Sequence, residues 1–147
     1  MSGPLRHILP HLIIGLAVSL IMVGAYIAVG MASSNSPKAL FSINPVTIQF
    51  SGSGGVGSSG SFGDSFKCAP PVSTAVNLRT SVSNPAKISL TVNPSGAAAC
   101  GPSFTTITVT AHCLVSNCKG SYTGTITIFK GQYNTIPPSL SVSIIVT

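Results

Sequence analysis

The sequence predicts one N-terminal hydrophobic helix followed by an all-β antiparallel fold, a sandwich or barrel of six or seven strands. Three observations predict it. Residues 12–32, LIIGLAVSLIMVGAYIAVGMA, run without a charge. After Pro37 the apolar residues alternate with polar ones at a period of two up to the last residues, the mark of half-buried strands. Gly, Pro and Asn clusters punctuate that alternation at short intervals, where hairpin turns need them.

The apolar run is 21 residues long, about 31 Å as a helix at ~1.5 Å per residue, which matches the hydrocarbon core of a bilayer. Arg6, His7 and His11 precede it and no charge follows closely, so the N-terminus is expected inside and the rest of the chain outside. Three fates compete. The segment is a retained anchor, which its length favours over a shorter signal-peptide core. It is a signal removed after Ala32, where Gly30-Met31-Ala32 offers a small-x-small site. Or it is a pilin-type helix that loses a short basic leader and packs in a filament core. LRHILPHLIIGLAVSLIMVGAY resembles archaeal pilin leaders in its basic residue, proline and long apolar stretch, although it has no Gly or Ala marking the cut. Gly15 with Ser19, and Gly24 with Ala28, form small-xxx-small pairs that allow helices to approach closely; such residues are also frequent in membrane helices generally.

Beyond the helix, residues 39–147 are expected to form the exterior domain. Its predicted stripes are Val46, Ile48, Phe50; Val76, Leu78, Thr80, Val82; Ile88, Leu90, Val92; Ile107, Val109, Ala111; Tyr122, Ile126, Ile128; and Leu140, Val142, Ile144, Val146. At the first of these the phase shifts. Phe41 and Ile43 point one way, Asn44-Pro45 intervene, and Val46, Ile48 and Phe50 resume in the other. A kinked edge strand accounts for this. The sharper reading makes residues 39–50, with Phe41, Ile43, Val46, Ile48 and Phe50, an assembly element that completes a neighbour's sandwich.

GSYTGTITIFKGQYNTIPPSLSVSIIVT, with FSINPVTIQFSG before it, resembles the Ig-like domains of bacterial and archaeal surface proteins over roughly residues 39–147. The resemblance implies an Ig-like sandwich at the cell surface, in which Tyr122 is the corner tyrosine bonded to upstream backbone. The Gly/Ser-rich insert and the four cysteines depart from its simplest members.

That insert, residues 51–63, contains GSGGVGSSG from Gly52 to Gly60, close to a nucleotide-binding G-x-x-x-x-G-K-[ST] loop. Ser58 stands where the lysine must be, and SFGDSFKCAPP beyond it has no helical period, so no helix N-terminus is expected to meet a phosphate. A flexible connector between the first strand and the body of the domain is the better reading.

Composition excludes more. Seven Lys/Arg stand against one acid, for a formal charge of +6, yet charged residues are only 5% of the chain. Lys38, Lys67, Arg79, Lys87, Lys119 and Lys130 are scattered singly, with no stripe to neutralise successive phosphates, so nucleic acid is not an expected partner. Scarce carboxylates suit an acidic exterior, such as a thermoacidophile's, where they would protonate while Ser, Thr, Asn and Gln stay polar. No Asn-x-Ser/Thr sequon with x other than Pro occurs, so ordinary N-glycosylation is not supported; O-linked sugars on the many Ser and Thr stay open.

Cys68, Cys100, Cys113 and Cys118 lie in the exterior part, where an even count suggests two disulfides. Cys113 and Cys118 enclose a short turn, which leaves Cys68 for Cys100; the other two connectivities stay open. A metal site at His112, Cys113 and Cys118 would need further ligands, and adjacent strand residues face opposite ways. Asp64 is the only acid, so paired-carboxylate catalysis is excluded, and no nucleophile elbow supports an Asp64–His112–serine triad. No cofactor is expected. The sequence therefore predicts a non-catalytic structural protein of the cell surface, a homo-oligomeric filament subunit of pilin-like or strand-donating type. The alternatives are an accessory subunit of a membrane complex, held by residues 12–32, and an adhesion module.

Overall fold

The computed structural model describes residues 36–147, apart from Ala98. The apolar run at 12–32, with Gly15, Ser19, Gly24 and Ala28, lies outside the described residues. Among those described, no helix is long and apolar enough to cross a membrane.

The described residues form nine strands: β1 (Lys38–Phe41), β2 (Val46–Phe50), β3 (Ser59–Ala69), β4 (Val76–Val82), β5 (Ile88–Asn93), β6 (Gly96–Ala97), β7 (Thr105–Cys113), β8 (Gly120–Lys130) and β9 (Asn134–Val146). They make two sheets, in the orders β1-β3-β7-β5 and β2-β9-β8-β4-β6. Setting aside the short β6, and counting β1 and β2 as two halves of one first strand, this is the strand order of a constant-type immunoglobulin sandwich.

Period-two alternation carries each strand into this arrangement. In β8, Tyr122, Ile126 and Ile128 are buried while Ser121, Thr123 and Thr125 are exposed. In β7, Ile107, Val109, Ala111 and Cys113 point inward. Both sheets turn these faces on one core that includes Ile48, Phe66, Ile88, Ile107, Ile126, Leu140 and Ile144. Each fully buried aliphatic or aromatic side chain contributes about 1.5–3 kcal/mol. The outward positions are mostly hydroxyls, among them Thr106, Thr108, Thr123 and Thr125.

The structure corrects three expectations. The first strand is not one kinked edge. β1 pairs antiparallel with β3, from Lys38↔Ala69 to Phe41↔Phe66, whereas β2 joins the opposite sheet and runs parallel to β9, from Val46↔Val142 to Phe50↔Val146. The phase shift at Asn44-Pro45 is therefore a crossover between sheets, and one ladder is parallel. The strand count rises from six or seven to nine because the first strand is split and because β3 and β6 carry weak signals.

The third correction concerns the insert at 51–63. Its last third is the start of β3, which pairs with β7 from Ser59↔His112 onward. Gly60 is a glycine because β2 packs across it: a Cβ there would come within 2.8 Å of Phe50 Cδ1 and 3.0 Å of Ile48 Cγ2. Residues 51–58 are tied down as well. Gly52 N–H donates to Thr147 O at 2.9 Å, Gly57 N–H to Cys113 O at 2.9 Å, and Cys113 N–H to Ser58 O at 2.8 Å. The segment seals one end of the sandwich instead of giving slack.

Candidate functional site

Strand directions sort the loops into two ends. β1, β4, β7 and β9 start at the end where the chain enters from residues 36–37, β3, β5 and β8 finish there, and β2 begins midway, opposite Val142 of β9, and runs to the far end. That end gathers the β3–β4 loop, the long β5–β7 connection and the β8–β9 turn. The far end gathers residues 51–58, the β4–β5 and β7–β8 turns, and Thr147.

A disulfide fastens each end. Cys68 and Cys100 are bonded with Cα atoms 5.3 Å apart, tying the end of β3 to the β5–β7 connection. Beside the bond, Val72 and Cys100 exchange backbone hydrogen bonds at 2.8 and 3.2 Å. Cys113 and Cys118 are bonded with Cα atoms 5.7 Å apart and close the β7–β8 turn. Directly after it, the Tyr122 hydroxyl donates to Cys118 O at 2.8 Å. This is the corner tyrosine that the resemblance implied, reaching backbone four residues upstream.

The β1–β2 crossover is held by side chains. Ser42 N–H donates to Ser65 O at 2.8 Å, and the Ser42 and Ser65 hydroxyls share a bond of 2.7 Å. Ile43 N–H donates to Asp64 Oδ1 at 3.2 Å. On the other side, Asn44 Nδ2 donates to Ser139 O and Asn44 Oδ1 accepts from Ser141 N–H, both at 3.1 Å. One amide thus stands in for the parallel ladder just before β2 begins. Pro137 and Pro138 precede this point in β9, where no β2 partner needs their missing N–H groups.

Asp64, notable in the sequence only as the single acid, is the residue for which sequence reasoning found no structural place. It is 5% exposed, in an inward position of β3, and its Oδ2 is buried with no hydrogen-bond partner. The signal was present: Phe62, Asp64, Phe66 and Cys68 alternate with Gly63, Ser65 and Lys67. A carboxylate in the apolar phase concealed the strand.

The expected assembly residues divide. Val46 and Ile48, at 1% and 2% exposure, belong to the chain's own core. Phe41 and Phe50 are half-buried against it, with the Phe41 and Phe66 ring centroids 6.1 Å apart. Ile43 is 48% exposed. The strand considered for donation is thus in use within its own sandwich.

His112 and Cys113 face opposite sides of β7, Cys113 buried and His112 half-exposed beside Ser59 and Ser89. Asp64 pairs with Ile107 on the same ladder, five residues from His112 or about 17 Å along a strand, and it faces inward. No Ser–His–Asp triad forms from them. Among the described residues, no three His, Cys, Asp or Glu side chains gather where they could hold a metal.

An open seam lies between β5, the edge of its sheet, and the part of β4 beyond Val76 and Asn77 that β6 does not cover. A groove of about 370 Å³ runs there along Thr80, Val82, Pro85, Ile88 and Leu90. Thr80 Oγ1 bridges it to Leu90 O at 2.7 Å.

No protein-family model matches the chain, and no curated protein sequence matches it. Solved structures of similar fold include domains 4 and 5 of the S-layer protein SbsC, at 16% identity and a TM-score of 0.44, covering 75% of this chain and 44% of that one. The N-terminal domain of PorA is similar at 12% identity and a TM-score of 0.49, covering 75% and 98% of the two chains. WR4, a C. elegans member of the MSP family, is similar at 10% identity and a TM-score of 0.41, covering 69% and 92%. The chain matches less than half the length of the SbsC structure.

Proposed function

We propose that the protein is a structural component of the cell surface, exported by residues 12–32 and serving as a filament subunit joined to its neighbours through that segment, the Ig-like sandwich facing outward. The observation that carries this reading is the completeness of the sandwich. Every strand of the constant-type order is supplied by the chain itself, and β2 already fills its place beside β9. A domain that lacks no strand needs none from a neighbour, so the task of association passes to the apolar segment. This favours the pilin-like route over strand donation.

Two disulfides support an oxidising, extracytoplasmic setting. Outward faces of hydroxyls with few charges suit a surface that remains hydrated in acid. Shearing native cells and imaging the released fraction tests the proposal. Fibres containing this chain, resistant to mild detergent, are the expected result. Detergent extraction with polytopic partners and no fibres would replace it with the accessory-subunit reading.

A further inference from the structure

The far end of the sandwich exposes Lys87 and Lys119 with the aliphatic Val56 and Leu114, whereas the end where the chain enters exposes lysines with aromatic side chains. Lys38 opens β1, Lys67 lies two residues before the end of β3, and Lys130 closes β8. Tyr133, in the β8–β9 turn, is 85% exposed, the highest value among the large hydrophobic side chains that reach the surface. Phe104, just before β7, is 50% exposed, and Lys67 Nζ lies 4.8 Å from its ring centroid. No acid opposes these charges, because the single carboxylate of the chain, Asp64, is buried in the core.

The covalent tether bounds how far Lys38 can lie from the uncharged run. Lys38 is six residues beyond Ala32, the last residue of the uncharged run. Even fully extended, that length spans about 20 Å. That reach, from Ala32 to Lys38, is comparable to the depth of a headgroup layer and the water next to it.

We propose that this end docks on an anionic membrane surface, with Lys38, Lys67 and Lys130 at the lipid phosphates and Tyr133 and Phe104 at the headgroup boundary. The inference rests on the reading that residues 12–32 reside in a membrane, as a permanent anchor or before entry into a filament. Lysines near an anionic leaflet each favour the bound state about fivefold, so three favour it on the order of a hundredfold. An exposed tyrosine has the apolar body and polar tip that suit the interface.

The chain has no tryptophan, so Tyr133→Trp supplies a single fluorophore in the full-length protein. The variant is reconstituted into phosphatidylcholine vesicles with and without phosphatidylglycerol, each also prepared with brominated lipid as quencher. The expected result is blue-shifted emission and quenching on the anionic vesicles. Lys38→Gln, Lys67→Gln and Lys130→Gln together, or high salt, should abolish both, whereas Lys87→Gln with Lys119→Gln at the far end should leave them unchanged. Unaltered thermal unfolding of the lysine variants in detergent shows that they remain folded. If the protein floats with vesicles but its emission ignores lipid charge, docking is refuted and the anchoring reading survives. If it does not float with vesicles at all, the anchoring reading fails and docking fails with it.

Discussion

The two disulfides close loops of very different size, and this predicts unequal effects on stability. Cys68 and Cys100 are 32 residues apart in sequence, Cys113 and Cys118 only five. In the chain-entropy description, the longer loop constrains the unfolded chain by about 3.7 kcal/mol and the shorter by about 2.1 kcal/mol. All four cysteines are buried, one member of each pair at 1% and the other at 0% exposure. Replacing either pair by alanine therefore carries a similar packing cost, and the difference of about 1.6 kcal/mol reports on loop closure. With about 2.1 cal/mol/K of unfolding entropy per residue, the domain from Pro37 to Thr147 converts that difference into about 7 °C. Thermal unfolding of full-length Cys68→Ala/Cys100→Ala and Cys113→Ala/Cys118→Ala in mild detergent, followed by near-ultraviolet circular dichroism, measures it. The first variant should melt well below the second. Equal losses, or a larger loss for the short loop, would refute the entropic reasoning and make the β7–β8 turn the more important fastening.

Further predictions concern single side chains. Tyr122→Phe removes the 2.8 Å bond to Cys118 O and should cost about 1–2 kcal/mol in urea unfolding, since the buried carbonyl is left without its donor. Gly124→Val should destabilise by about 1–3 kcal/mol or more, because a Cβ there would stand 2.6 Å from Leu90 Cδ2 and 3.1 Å from Ser81 O; adding Leu90→Ala should recover part of the loss. Asp64→Ala should cost about 1 kcal/mol by removing the acceptor of the part-buried Ile43 N–H, the loss being reduced because the buried, unpartnered Oδ2 goes with it, whereas Asp64→Asn, which keeps an acceptor, should cost clearly less. Equal losses for the two Asp64 variants would show that the crossover does not depend on this bond.

Where apolar residues alternate cleanly, the sequence was enough to find the strands. Ile88, Leu90 and Val92 in β5, and Leu140, Val142, Ile144 and Val146 in β9, occupy the core positions their spacing implied. The Cys113–Cys118 pair and the tyrosine corner were likewise legible, being set by short-range spacing and a local strand pattern, whereas Cys68–Cys100 was only the pair that remained, with other connectivities open. β3 was not, because its inward positions include Gly60 and Asp64: glycine answers to the close approach of β2, and aspartate to a backbone N–H in the crossover. Neither partner can be seen along the chain. The first half of β9 was hidden for a related reason, since Pro137 and Pro138 argue against a strand unless its edge is free there. The split of β1 from β2 was visible as a change of phase, but which sheet each half joins depends on non-local pairings, with β3 for the first half and with β9, nearly the full domain away in sequence, for the second.

The account as a whole depends on residues 12–32 remaining part of the mature protein, as the element through which a self-complete sandwich is held or joined to others. Intact mass and N-terminal peptide sequencing of the protein from native cells test this most directly. The account predicts an N-terminus at or before Leu12, with loss of the basic leader marking the pilin-type route. An N-terminus near Ser33 would contradict it, leaving a secreted sandwich whose association has to arise from its own strands.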